Sequence, residues 1–205
     1  IYARKAAILL DRVADLYGTF DFLTQGLSYE KADPIAGAGM VSVWHDACRE
    51  TLELALAYDM IAPAIAQDPE LVRFLAAQAA RHQLPQPKDT PERIRAHIED
   101  GILREVLRRP DKILSNFPNT EITLLTARAI LGWPGNRDEI LAALQAMLEK
   151  ATAVDGLTGE KGLGGYSAIA PRTLSDALCL FGRLDSSLLP TLVRRVPAVA
   201  GLYRF

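Results

Sequence analysis

Apolar residues recur along most of this chain at the three-to-four-residue spacing of a helix face. Over residues 2–17, Ala6, Leu9, Leu10, Val13 and Leu16 or Tyr17 share one side, with Lys5, Arg12 and Asp15 elsewhere. Over 41–66, Trp44, Ala47, Cys48, Leu52, Ala55, Tyr58 and Ala62 follow one broad face. Asp68-Pro69-Glu70 and Thr90-Pro91-Glu92 are helix starts, each with a capping side chain and a proline at the first helical position. They predict helices to about Arg81 and Arg109, joined by a proline-containing linker over 83–89 and closed by Pro110. The segment 122–131 is apolar on nearly every side, Arg128 and threonines excepted, as expected of an inner helix covered on both sides. Trp133-Pro134-Gly135 ends it. Asn136 and Glu139 have capping-box spacing ahead of an amphipathic helix over 138–153, built on Ile140, Leu144, Met147 and Leu148. Two further helices are predicted over 170–182 and 186–196, the second capped by Asp185.

Two segments break the helical pattern. Residues 18–39 carry Gly18, Gly26, Pro34, Gly37 and Gly39, with Phe20, Phe22 and Tyr29 interleaved among Asp21, Gln25 and Glu30. A connection that long is often functional. Residues 155–167 hold five of the chain's 14 glycines around Glu160, Lys161 and Tyr166. Glycine lets a ligand approach the main chain closely, so this loop is either a long turn or the floor of a site. No stretch reads as a strand. Very apolar helices alternate with amphipathic ones, which predicts an all-α fold of inner and outer helical hairpins, a toroid or a solenoid. No strict repeat is present.

Composition narrows the function classes. The chain has 205 residues, enough for one domain or slightly more, and 49% are hydrophobic. Net charge is −2 with no basic block, which argues against nucleic acid and anionic membranes as partners. Charges interrupt every long apolar run, so no membrane span is expected. Cys48 and Cys179 read as buried free thiols, with a disulfide left open. His45, His82 and His97 are scattered, so no metal site is expected, and no cofactor motif is present. The glycine run at 159–165 lacks the Gly-Lys-Ser/Thr ending of a phosphate loop. Arg194-Arg195 reads as a solvated helix end, and Asp21 and Glu30 as solvated loop acids. The chain begins at Ile1 and ends at Phe205, and is read as part of a longer protein whose signal peptide, if any, would precede Ile1.

Two polar clusters remain as candidate chemistry: Asn116, Asn119 and Glu121 at the mouth of the apolar helix, and Glu160, Lys161 and Tyr166 in the glycine loop. Trp44-His45-Asp46, near a helix start, could line a pocket, a satisfied core histidine beside a tryptophan being the commoner outcome. On an incomplete (α/α) toroid, loops of alternate hairpins converge on one rim, so the two clusters are expected to share a cleft.

Four stretches resemble the heparinase II/III-like and alginate-lyase-like helical toroid family of polysaccharide lyases. Tyr2 to Asp15 is similar to the family's early helix. Leu54-Ala-Leu-Ala-Tyr58-Asp59 is similar to its Ala-Tyr-Asp helix. Asn116-Phe-Pro-Asn-Thr-Glu121 stands where the family has an Asn-His pair and then an acidic residue. Asp155-Gly, Glu160 and Gly165-Tyr166 are similar to its Asp-Gly…Glu…Gly-Tyr loop. The resemblance implies a β-elimination: the substrate carboxylate is neutralised, a base removes the C5 proton, and an acid protonates the departing 4-linked sugar. It assigns Asn116 and Glu121 to the catalytic centre, with Asn116 as the amide donor, and Tyr166 as general acid/base. A free tyrosine has a pKa of ~10, so a base role needs a cation nearby: Lys161, Arg128 or Arg172. Asn119, Glu160 and Trp44 complete the expected substrate site. Phe117 replaces the family's usual histidine. The resemblance further implies an acidic polysaccharide or oligosaccharide as partner, no cofactor, a β-sheet domain following Phe205, and a periplasmic or secreted location. Two other readings compete: a hydrolase using Glu121 and Glu160, whose separation would set retention or inversion, and a non-catalytic glycan-binding or scaffolding domain.

Overall fold

The computed structural model describes residues 1–21, 44–153 and 169–203, with the side chains of Trp44, His45, Ile169, Leu202 and Tyr203 excluded. These residues are all-α. The order is α1 (Tyr2–Tyr17), α2 (Trp44–Ile65), α3 (Pro69–Arg81), α4 (Pro91–Ile98), a π turn (Glu99–Leu103), α5 (Arg104–Arg108), a 3-10 turn (Pro110–Ile113), α6 (Asn119–Gly132), α7 (Arg137–Ala151), α8 (Ile169–Leu184), α9 (Leu188–Arg195) and a final 3-10 segment (Pro197–Tyr203). No strand occurs among the described residues.

The two proline-marked helix starts form as their sequences dictate. The Asp68 carboxylate accepts the Leu71 N–H at 3.0 Å, and Thr90 Oγ1 accepts the Arg93 N–H at 3.2 Å. Asp68 is also gripped by the Arg4 guanidinium at 2.6 and 2.9 Å, which ties α1 to the start of α3; Arg4 reaches Glu70 as well. The Arg4 hydrogen bond holds the Asp68 pKa below the ordinary carboxylate range.

Two cores are built. The first gathers Leu10, Ala14 and Tyr17 of α1, Ala47, Ala55 and Tyr58 of α2, Leu71 and Leu75 of α3, and Ile94 through Val106 along the α4–α5 rod. The second joins Ile140, Leu144 and Leu148 of α7 with Leu174, Leu178 and Phe181 of α8 and Leu188 and Leu192 of α9. Helix α6 serves both: Ala127 lies in the first, and Ile122, Leu125 and Ala129 in the second. The expectation that α6 is covered on both sides is therefore met within the described residues.

Several local expectations are corrected. The buried face of α1 runs through Ala7, Leu10, Ala14 and Tyr17, one position round from the predicted stripe, and Leu9 is exposed. That rotation also buries Asp11 and half-buries Asp15. Their partner comes from the 83–89 linker: Lys88 Nζ donates to Asp11 Oδ2 at 2.7 Å and Asp15 Oδ1 at 2.8 Å. His97 Nε2 of α4 lies 2.9 Å from the same Asp15 oxygen. Lys88 is 1% exposed and holds a left-handed φ of 51°, a strained setting for a side-chain-bearing residue. The predicted helix to Arg109 contains the π turn. There Gly101 rides directly on α1: a Cβ on it would stand 2.7 Å from Ala14 O and 2.9 Å from Ala14 Cβ.

At the end of α1, Lys112 Nζ donates to the carbonyl oxygens of Tyr17 (3.1 Å) and Gly18 (2.9 Å), satisfying terminal acceptors that the helix leaves open. The capping box at 136–139 does not form. Asn136 Nδ2 instead donates to the Arg128 carbonyl at 2.7 Å, across Gly132, where a Cβ would meet that amide at 2.8 Å. Asp185 caps no helix directly: it accepts the Ser187 N–H and the Arg137 guanidinium, and α9 starts at Leu188. Cys48 is buried and free; Cys179 is free but exposed, against expectation.

Candidate functional site

Asn119, of the predicted polar cluster at the mouth of α6, lines a cleft of about 310 Å³, and Asn116 and Glu121 are not in that lining. Asp46, Cys48, Arg49 and Leu52 of α2 form one wall. Asn119, Ile122 and Thr123 of α6 form another, and Thr173 and Asp176 of α8 face them. The lining of α6 comes from its first turns, Asn119 being the first residue of the helix. The free N–H groups and positive dipole end of α6 favour an anion there, and Arg49 adds a cation against the carboxylates of Asp46 and Asp176 in the same lining.

The polar turn that opens α6 is held from within. Ser115 N–H donates to Thr120 Oγ1 at 2.9 Å, and Thr120 Oγ1 in turn donates to the Ile113 carbonyl at 3.1 Å. The Asn119 N–H closes on the Asn116 carbonyl at 2.9 Å, and its Nδ2 reaches Ser115 Oγ at 3.4 Å. Asn116 is half-buried, with Asn119 and Glu121 in the same turn region. Glu121 Oε2 is buried and accepts no hydrogen bond among the described residues. A buried acceptor without a donor is uncommon and asks for one.

Cys48 sits at the base of the cleft. Its thiol lies 3.1 Å from Thr123 Oγ1, and Thr123 also donates to the Cys48 carbonyl at 3.3 Å. Burial pushes the thiol pKa up to about 11, with the Glu121 charge adding to the rise, so this cysteine is a packed thiol and not a nucleophile. Asp46 is paired with Arg49 at 3.2 Å. Phe117, standing where the resemblance expects histidine, is half-buried on the second core with Lys150 Nζ 4.1 Å from its ring centroid.

Asn116, Asn119 and Glu121 share one polar turn, and of the three Asn119 lines the cleft. The structure sets Arg128 apart: seven residues along α6 from Glu121, about 10 Å by helical rise, Arg128 is exposed and faces Glu139 at 3.5 Å. Arg128 is therefore not a cation of this cleft. Arg172 is exposed on the turn of α8 that carries Thr173. Tyr166, Glu160, Lys161 and the side chain of Trp44 lie outside the described residues, as do Phe22, Tyr29 and Glu30. Sequence reasoning missed Thr173 and Asp176, which share one side of α8 at three-residue spacing; an amphipathic helix with two polar groups so placed was the available signal. No group of three or more His, Cys, Asp or Glu arranged to hold a metal occurs among the described residues. None of the helices among them is long and apolar enough to cross a membrane.

Comparison of the chain with protein families, curated proteins and solved structures finds no significant match.

Proposed function

We propose that this chain is the helical part of a polysaccharide lyase that cleaves a uronic-acid-containing polysaccharide by β-elimination, on an incomplete (α/α) toroid. The observation that carries this reading is the start of α6 at a cleft shared with α2 and α8, with Asn119 in its lining and Asn116 and Glu121 in the same polar turn. That arrangement suits a substrate carboxylate, whose charge must be neutralised before the neighbouring carbon can lose a proton. The toroid is supported by α6, covered from both sides, next to the amphipathic α7.

In this reading Asn116 donates to the uronate carboxylate and stabilises the enolate as it forms. Tyr166, three residues before α8 in the sequence, exchanges the proton at C5 and at the leaving oxygen. Arg49, in the cleft wall, and Arg172, next to Thr173 on α8, take the place of Arg128 as the cations of the cleft. Asn119, which lines the cleft, hydrogen-bonds a hydroxyl of the bound sugar, and Glu121 lies two residues further along α6. The protein acts on an acidic polysaccharide without a cofactor, in a periplasmic or extracellular setting, and a further domain of the same chain completes the cleft.

The test is ultraviolet absorbance of the unsaturated uronate product while the protein is incubated with a panel of uronic-acid polysaccharides. Wild type is expected to generate the chromophore, Tyr166→Phe to abolish it, and Asn116→Ala to lower kcat by roughly 10²–10³-fold. New reducing ends without the chromophore would replace this reading with hydrolysis through Glu121. Neither signal, with retained glycan binding, would make the domain a binding module.

A further inference from the structure

A second and larger cavity, about 510 Å³, lies between α1, α3 and the 82–88 connection. Its size is that of a small-molecule pocket. The proposed lyase cleft is lined by α2, α6 and α8, so the two share no lining residue. Ile8, Phe74, Leu75 and Leu84 give this cavity a mainly apolar wall. Exposure falls from Phe74, at 44%, to Leu75 and Asp11, both at 3%.

The polar groups at the buried end are unequal in their partners. Asp15 is saturated: Lys88 and His97 stand against Oδ1, and Arg12 reaches Oδ2 at 3.4 Å. Asp11 receives Lys88 on Oδ2 alone, and its buried Oδ1 accepts no hydrogen bond among the described residues. Two carboxylates are thus set against one buried ammonium, with His97 beside Asp15, while Arg12, largely solvent-exposed, and His82 line the same cavity. The buried end carries an unpartnered carboxylate oxygen, that of Asp11.

We propose that this cavity binds a small organic amine, its ammonium paired with Asp11 and its apolar body laid against Phe74, Leu75, Ile8 and Leu84. An anion finds the buried ammonium of Lys88 already taken by Asp11 and Asp15. A polyol would leave hydroxyls without partners along the apolar wall, each at a cost. An ammonium meets the unpartnered carboxylate, and the Phe74 ring adds an aromatic face for its body.

The experiment is a titration of the chain with phenethylamine, 2-phenylethanol and phenylacetate, followed by backbone amide shifts and by calorimetry. Phenethylamine is expected to bind with a Kd of about 1 mM or tighter and to move the amides of Asp11, Phe74 and Leu75, with the alcohol about tenfold weaker or worse. Phe74→Ala, at an exposed position, is expected to weaken the amine at least about threefold while the protein stays folded. Asp11→Asn is expected to erase the preference of amine over alcohol. Equal binding of amine and alcohol, no binding of the amine up to about 10 mM, or unchanged binding by Phe74→Ala would each overturn the proposal, whether or not Asp11→Asn folds.

Discussion

Replacing Lys88 by methionine tests the buried ionic cluster directly. Methionine keeps most of the apolar stem and removes the ammonium. Lys88 Nζ makes two charge-assisted hydrogen bonds, at 2.7 and 2.8 Å, to carboxylates that are themselves largely out of water. Removing one partner of a buried ion pair leaves uncompensated charge and costs about 3–5 kcal/mol. For a chain of this size that lowers Tm by roughly 6–20 °C. The loss should depend on pH. In the wild type, burial pushes Asp11 above the ordinary carboxylate range, and Lys88 only partly offsets this. For Asp15, burial also pushes upward, but the Lys88 hydrogen bond and charge prevail and hold it low. Asp15 therefore contributes stability above its unfolded pKa, and that contribution is lost as pH falls through its lower folded value. Without Lys88 the effect of burial on both carboxylates is opposed only by His97 and, at Asp15, Arg12, so both pKa values rise and the folded variant takes up protons on mild acidification. Its deficit against wild type should be larger at pH 7 than at pH 5. Urea unfolding followed by far-ultraviolet circular dichroism measures both. A deficit under about 1 kcal/mol that is the same at both pH values would mean the cluster behaves as a solvated surface pair, and the reasoning would fail.

Three other outcomes are expected. Gly101→Ala should destabilise by about 1–3 kcal/mol, because the new methyl meets the Ala14 carbonyl at 2.7 Å and neither backbone can yield cheaply; denaturant midpoints read this out, and a neutral substitution would show that the π turn stands off α1. In native protein a thiol reagent should label Cys179 at once and Cys48 only after unfolding; prompt modification of both would contradict the burial and the raised pKa of Cys48. Asp185, lowered to about 2 by its bonds to Ser187 and Arg137, should hold the start of α9 above the usual carboxylate pKa and release it as pH falls through about 2, a step that Asp185→Asn removes from the acid titration.

The sequence was most legible where the physics is local. Asp68-Pro69 and Thr90-Pro91 specify their caps within four residues, and both caps form. The all-apolar character of 122–131 announced a helix with two covered sides. The failures share a cause: a partner distant along the chain. Asp11 and Asp15 look like solvent residues until Lys88 arrives from 77 and 73 positions away. Asn136 is drawn from its expected capping role by the Arg128 carbonyl. The π turn accommodates a contact between Gly101 and Ala14 that no local pattern encodes. At the cleft, Asn116, Asn119 and Glu121 could be grouped from sequence because one turn holds them. Asp46, Thr173 and Asp176 could not, since only the packing of α2, α6 and α8 brings them to the same place.

The double use of α6 has a consequence for the order in which the chain is made. Elements from α1 to the 3-10 turn at Pro110–Ile113 leave the ribosome before α6, yet the side of α2 that α6 covers, including buried Cys48 against Thr123, has no cover until then. The early half of the nascent chain therefore carries an apolar face that only later residues can shield, and synthesis that pauses before Asn119 presents that face to chaperones and to neighbouring chains.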